Sequence, residues 1–207
     1  MSQLAILPVR NARITAGYKN AAYFKGMGFH HFGIDMTDKD RIHFNLAAPF
    51  DLEIIAFGND RLMGNTIIAR STGLVDIHYG PKKGSQKLVL RMAHLGVIGN
   101  KVKVGAKFKR GDYLGQYGST GKYGGARHLH VELDADIRWP LYSPTLSGHS
   151  NIWKAGSDTT INPMDCFKVD GHQSLWYSRN SGDWLDVSAD ATTLNHDRMA
   201  VIAKPYL

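Results

Sequence analysis

Four histidines and one aspartate stand out by their spacing: His31 and Asp35 in "GFHHFGID", His94 in "RMAHL", and His128 and His130 in "RHLHVEL". Imidazoles and carboxylates are the donors of a transition-metal site that uses no thiolate. Two imidazoles and one carboxylate fill three tetrahedral positions and leave the fourth for water, the coordination of a catalytic rather than a structural zinc. The Irving–Williams order leaves other transition metals open. Histidines that stand alone, such as His43, His78, His149, His172 and His196, need no role beyond surface or packing.

The elements that carry these residues must bring them together. In a strand, residues two apart share a face about 7 Å apart, so His128 and His130 can face one pocket, one on a metal and the other beside it. His31 and Asp35 would lie roughly 13 Å apart in a flat strand. Gly33 between them permits a bend or bulge that closes the gap. The Gly28 to Asp35 stretch has too little helix-favouring sequence for an ordinary helix.

Around them run short alternating or apolar stretches, among them "ARITAGY", "EIIAFG", "NTIIARS", "LVDIHYG", "KLVLRMAHL", "KVKV", "YLGQYG" and "HLHVELDA", separated by Gly, Asn, Asp or Pro. The pattern predicts an all-β, mainly antiparallel sandwich or open barrel. "GPKKGSQK" (Gly80 to Lys87) reads as a hairpin loop, and "KVKV" (Lys101 to Val104) as a strand with its lysines on one face and its valines on the other. The irregular segment Asp136 to Thr160 is long enough to be functional, and its aromatics Trp139, Tyr142 and Trp153 predict a groove wall. The tail containing "LWYSRNSGDWLDV" predicts a β-hairpin extension. The chain thus divides into a domain over 1–168 and an extension over 169–207 packed on it.

Composition narrows the class. With 43% hydrophobic and 21% charged residues, the chain can bury a core. Its apolar stretches fall short of the roughly 18 residues of a membrane span, so no membrane insertion is expected. The first residues show neither a basic segment nor an apolar run long enough for a secretory signal, which predicts synthesis without a classical export signal. One cysteine, Cys166, excludes an internal disulfide and reads as a small buried hydrophobe. The net charge is +7, with a dense basic run at "KVKVGAKFKR" (Lys101 to Arg110). It reads as a solvated face or as long-range attraction to a polyanion. No stacking or groove-reading module accompanies it, so a specific nucleic-acid partner is not expected.

"HFGID" (His31 to Asp35), "MAHL" (Met92 to Leu95), "GNKVKVGAKFKRGDYLGQYGSTG" (Gly99 to Gly121) and "HLHVE" (His128 to Glu132) occur in the order and approximate spacing of one known family. Over roughly Ile14 to Asp165 the chain resembles the lysostaphin-type, or LytM-like, zinc metallopeptidases, which are peptidoglycan endopeptidases. The resemblance implies the LytM-like β fold, one Zn2+ per chain held by His31, Asp35 and His130, and His94 with His128 as the catalytic pair. His30 is then the extra member of the doublet, because only His31 fits the family's His-x-Gly-x-Asp. An upstream tyrosine near the oxyanion is also implied, with Tyr23 preferred to Tyr18. Asn65 matches a recurrent Gly-Asn of the family and also fits a plain turn residue. Glu132 shares a strand face with His130, which suits either orientation of that ligand or a structural carboxylate. The insert "KYGGAR" is about one residue longer than usual and carries Arg127 where the family often has proline. Arg127, Tyr123 and Asn65 are the candidate substrate-binding residues.

The function implied is hydrolysis of peptide bonds in peptidoglycan stem peptides or cross-links, at the bacterial cell wall. A phage-borne enzyme or one delivered by a non-classical route fits the expected lack of a signal. Two other readings stand behind it. One is a non-catalytic LytM-like binding or activator module; the other is a phosphotransferase-system sugar phosphocarrier of similar β architecture, which has no evident need for the "MAHL" and "HLHVE" groups.

Overall fold

In the computed structural model, described over residues 1–137, 158–170 and 172–177, β structure dominates. Its strands are β1 (Ala5–Ile6), β2 (Asn11–Ala16), β3 (Ile34–Asp38), β4 (Asn45–Ala47), β5 (Leu52–Asp60), β6 (Gly64–Ser71), β7 (Val75–Ile77), β8 (Gly84–Gln86), β9 (Val89–Ile98), β10 (Lys107–Phe108), β11 (Tyr113–Tyr117), β12 (Leu129–Asp134), β13 (Thr160–Ile161), β14 (Phe167–Lys168) and β15 (Ser174–Tyr177). The main sheet runs β10-β5-β6-β9-β12-β3-β2-β15, with β11 pairing both β4 and β9, and β13 pairing β12. It is a mixed sheet: most pairs are antiparallel, but β15 runs parallel to β2, and β1 pairs β14 in parallel outside it.

The central strands are set by burial. In β2, Ala12, Ile14 and Ala16 point inward and alternate with half-buried residues. In β3 and β12 every residue is buried, which places both under cover on two faces. Leu129, Val131 and Leu133 of β12 enter the apolar core with Ile34, Met36, Leu90 and Met92. The other face of β12 carries His130, Glu132 and Asp134, so the site is built where the central strands turn away from the core.

A short helix, α1 (Ala21–Met27), interrupts the β pattern just before the first histidines. Asn20 caps it by accepting the Tyr23 N–H at 2.8 Å, and Gly28 ends it in the left-handed region at φ 78°. Seven residues are too few to show helical periodicity, so the cap residues were the available signal. "KVKV" is a correction: Lys101 to Val104 form no strand. The Val102 N–H bonds to the Gly99 carbonyl and the Ala106 N–H to the Lys103 carbonyl, Gly105 turns the chain at φ 81°, and Val104 is exposed. The predicted Gly80 to Lys87 loop is a correction too: β8 lies wholly within it and pairs with β7, so a strand occupies much of the expected loop. Trp139, Tyr142 and Trp153 and most of the expected C-terminal hairpin lie outside the described residues. Ser174–Tyr177 is described, and adds a strand to the sheet beside β2. No described helix is long and apolar enough to cross a membrane.

Candidate metal centre

His31 lies in the loop leading from α1 into β3, Asp35 in β3 and His130 in β12, whose register sets His130 directly against Asp35. Their donor atoms converge. His31 Nε2 is 3.1 Å from Asp35 Oδ1 and 3.0 Å from His130 Nδ1, and His130 Nδ1 is 2.9 Å from Asp35 Oδ1. All three residues are buried, and among the described residues they form the one group placed to hold a metal ion.

Each imidazole is oriented from behind. His31 Nδ1 donates to the Gly17 carbonyl at 2.8 Å, which leaves Nε2 with its lone pair toward the centre. His130 Nε2 lies 3.0 Å from Glu132 Oε1, which turns Nδ1 toward Asp35 and His31. Glu132 thus bonds the His130 ring with one oxygen and pairs with the buried Arg91 through the other, which suits both of its expected readings. Donors on a tetrahedral zinc with bonds of about 2.0–2.1 Å sit roughly 3.3–3.4 Å apart. The observed triangle is within a few tenths of an ångström of that, so the residues fit the ion.

The buried histidines and carboxylates shift one another's protonation. Burial raises the Asp35 pKa, but His31, His128 and His130 outweigh it and hold the carboxyl well below its usual range. Burial likewise opposes charge on His130, yet the hydrogen bonds to Asp35 and Glu132 lift its pKa to about 10. A protonated His130 turns its Nδ1–H toward Asp35, so a metal ion at Nδ1 would have to displace that proton.

Gly33 closes the His31 to Asp35 gap, though not by a bulge of its own. A Cβ there would lie 2.3 Å from the Val131 carbonyl oxygen, so glycine lets the chain lie against β12. The register shift falls instead in β2, between Ile14 and Ala16, opposite Asp35. Both the backbone and the side chain of His31 are held by the segment that continues β2, through Lys19 N–H and Gly17 O.

His94 and His128 stand beside the donor triangle. Their rings lie 4.7 Å apart, and His128 Nε2 is 3.6 Å from Asp35 Oδ1. His94 sits at a register irregularity of β9, with φ at 62°. Bulged strands re-aim side chains in this way beside functional sites. His94 Nδ1 donates to the Thr120 carbonyl at 2.9 Å and His128 Nδ1 to the Ala126 carbonyl at 2.6 Å, so in the neutral form of each ring Nε2 is the acceptor atom. Burial, then the charges of His130 and His128, lower the His94 pKa to about 4, and the ring is neutral at neutral pH.

A cleft of about 200 Å³ opens onto the triangle and is lined by Tyr23, Phe29, Met63, Lys122, Tyr123 and the histidines of the site. Tyr23 stacks on His31 at 4.5 Å, whereas the Tyr18 hydroxyl is engaged by Thr160 at 2.8 Å. Tyr123 packs edge-on against Phe29. The other two substrate-binding candidates are not in the lining. Asn65 bonds the Leu95 carbonyl at 3.1 Å, and Arg127 lies exposed over the Phe44 ring at 4.3 Å. Phe29, Lys122, Met63 and Thr120 were not singled out from sequence; their places follow from loops that periodicity does not read.

No family model matches the chain, and no curated protein matches it. Solved structures do. The chain is similar to the SpoIIQ–SpoIIIAH pore-forming complex, at 15% identity over 82% of this chain and 94% of that chain, with a TM-score of 0.54. It is also similar to the antimicrobial peptidase lysostaphin from Staphylococcus simulans, at 23% identity over 74% of this chain and 48% of that chain, with a TM-score of 0.50. At these identities the likeness is one of fold. The fold is that of the lysostaphin-type, LytM-like proteins, and this chain carries in it a buried His-Asp-His donor set.

Proposed function

We propose that the protein is a zinc-dependent endopeptidase that hydrolyses peptide bonds in the cross-links or stem peptides of bacterial peptidoglycan, acting at the cell wall. The observation that carries this reading is the convergence of His31 Nε2, Asp35 Oδ1 and His130 Nδ1 within 3.1 Å of one another at the floor of a cleft. His94 and His128 stand beside that triangle, each with its Nδ1 committed to a backbone carbonyl. The substrate class rests on the motif resemblance and on the likeness of fold to an antimicrobial peptidase.

His31, Asp35 and His130 would hold the ion. Zinc there would supply Lewis-acid polarisation of the scissile carbonyl and a lowered pKa for attacking water. The remaining work belongs to the chain. With Nδ1 of both His94 and His128 committed to backbone carbonyls, an Nε2 of the pair accepts the proton of the attacking water. The imidazolium so formed donates to the tetrahedral oxyanion and returns the proton to the departing amine, which closes the proton balance of amide hydrolysis. Tyr23, stacked on His31, lines the cleft near the oxyanion, and Tyr123 and Lys122 offer an amphipathic wall to the peptide.

A binding module within a larger assembly is the second reading, favoured by the likeness to the pore-forming complex. One experiment separates the two. Purified sacculi of glycine-bridged and of directly cross-linked chemistry are incubated with the protein, and released fragments are identified by mass. Fragments ending at one defined peptide bond support the endopeptidase and name the bond. Intact sacculi of both kinds, with zinc verified in the protein, favour the binding module.

A further inference from the structure

The polar face of β12 continues beyond His130 as a line of buried charge. His130, Glu132 and Asp134 alternate along the strand, and Arg91 of β9 stands opposite Glu132 in the antiparallel register. Arg91 is 2% exposed, Glu132 1% and Asp134 0%, so the group is fully inside the protein. Arg91 Nη1 lies 3.5 Å from Asp134 Oδ2 and 3.7 Å from Glu132 Oε2. The far side of Asp134 is held too: its Oδ1 accepts the Asp136 N–H at 2.8 Å and the Thr159 hydroxyl at 2.6 Å.

Stability alone does not account for this arrangement. A buried ionic group contributes little against apolar side chains of similar volume, whereas removing one member leaves an uncompensated charge. The one carboxylate of the group that reaches the metal centre is Glu132, which uses Oε1 for His130 Nε2. Its Oε2 has no hydrogen-bond partner among the described residues and faces the Arg91 charge instead.

We propose that Arg91 is a positioning residue for the metal ligand His130. Anchored by Asp134, its charge holds the Glu132 carboxylate in the orientation that accepts from His130 Nε2, and so keeps His130 Nδ1 turned toward Asp35 and His31. The inference rests on the metal-site reading above.

The test measures Zn2+ affinity by chelator competition and the visible spectrum of the Co2+-loaded protein, in the parent, Arg91→Lys, Arg91→Met and the double variant Arg91→Met/Asp134→Asn. The double variant removes the second acid with the cation, so that two buried carboxylates are not left facing each other. Both methionine variants are expected to bind zinc about 10- to 100-fold more weakly, the usual loss when an outer partner of a ligand is removed, with an altered cobalt spectrum. Arg91→Lys, which keeps the charge, is expected to stay within about threefold of the parent. Should neither methionine variant fold, Arg91→Gln carries the same expected loss. A folded charge-free variant with parental affinity and spectrum, or a lysine variant as weak as the charge-free one, overturns the inference while the metal site stands. A parent that takes up no zinc overturns the site reading and this inference together.

Discussion

His94 shows how much a single residue's setting decides. It is held at φ 62°, a region that non-glycine residues occupy only where their surroundings enforce it. Its backbone N–H and C=O are both taken, by Met63 and Gly118. That setting aims the ring at the cleft without making it a donor to the metal triangle, and the roles should separate by mutation. His130→Ala is expected to lose both zinc and activity. His94→Ala is expected to keep one zinc per chain while kcat falls by about 10²- to 10⁴-fold, the contribution of a positioned general base. Metal analysis beside steady-state kinetics checks both; zinc lost with His94, or turnover kept without His130, would reverse the assignment. The grouping of His31, Asp35 and His130 was implied by the motif resemblance, while the spacings in "HFGID" and "HLHVE" showed only that a bend and a strand could bring such donors together. The His94 backbone conformation was not legible in sequence, since it depends on the pairing of β9 with β6 and β11. Arg91 was equally hidden, because only the β9–β12 register sets it against Glu132.

At the level of elements, the donor triangle depends on how closely the chain before β3 lies on β12. Gly33→Ala would put a methyl group 2.3 Å from the Val131 carbonyl oxygen, a backbone atom that cannot swing aside. The substitution is expected to destabilise the protein by about 1–3 kcal/mol or more, as overpacking does, and to weaken zinc binding. Denaturant unfolding of the metal-free protein, with a chelator titration, measures both; unchanged stability and affinity would mean that this contact does not position the site. The strands themselves were readable where apolar alternation and a core-facing row coincide, as in β2 and in the Leu129, Val131 and Leu133 row of β12. Alternation misled at "KVKV", where Gly105 and the hydrogen bonds of Val102 and Ala106 make a turn and leave Val104 in solvent. The helix α1 escaped for the opposite reason: its signal is one cap residue at each end rather than a period.

Across the whole molecule, the core protects one reporter and the surface carries another. Cys166 is fully buried, and burial, with Asp165 nearby, pushes its thiol well above the usual range. A thiol reagent at neutral pH is expected to find no reactive group in the native protein and one per chain in denaturant; reaction of the native protein would show that this part of the core opens readily. The net charge of +7 predicts adsorption to anionic cell-wall material that weakens as salt rises. Co-sedimentation with sacculi across a salt series measures it, and salt-independent binding would assign retention to uncharged contacts instead. The central claim is that the His31, Asp35 and His130 triangle is a hydrolytic metal centre. The most direct measurement is the release of new amino groups from sacculi by the chelator-stripped protein before and after zinc is restored, with His130→Ala alongside. The account predicts no release from the stripped protein, recovery with about one equivalent of zinc per chain, and none at any zinc level from His130→Ala. Equal release with and without metal, or by His130→Ala, would contradict it.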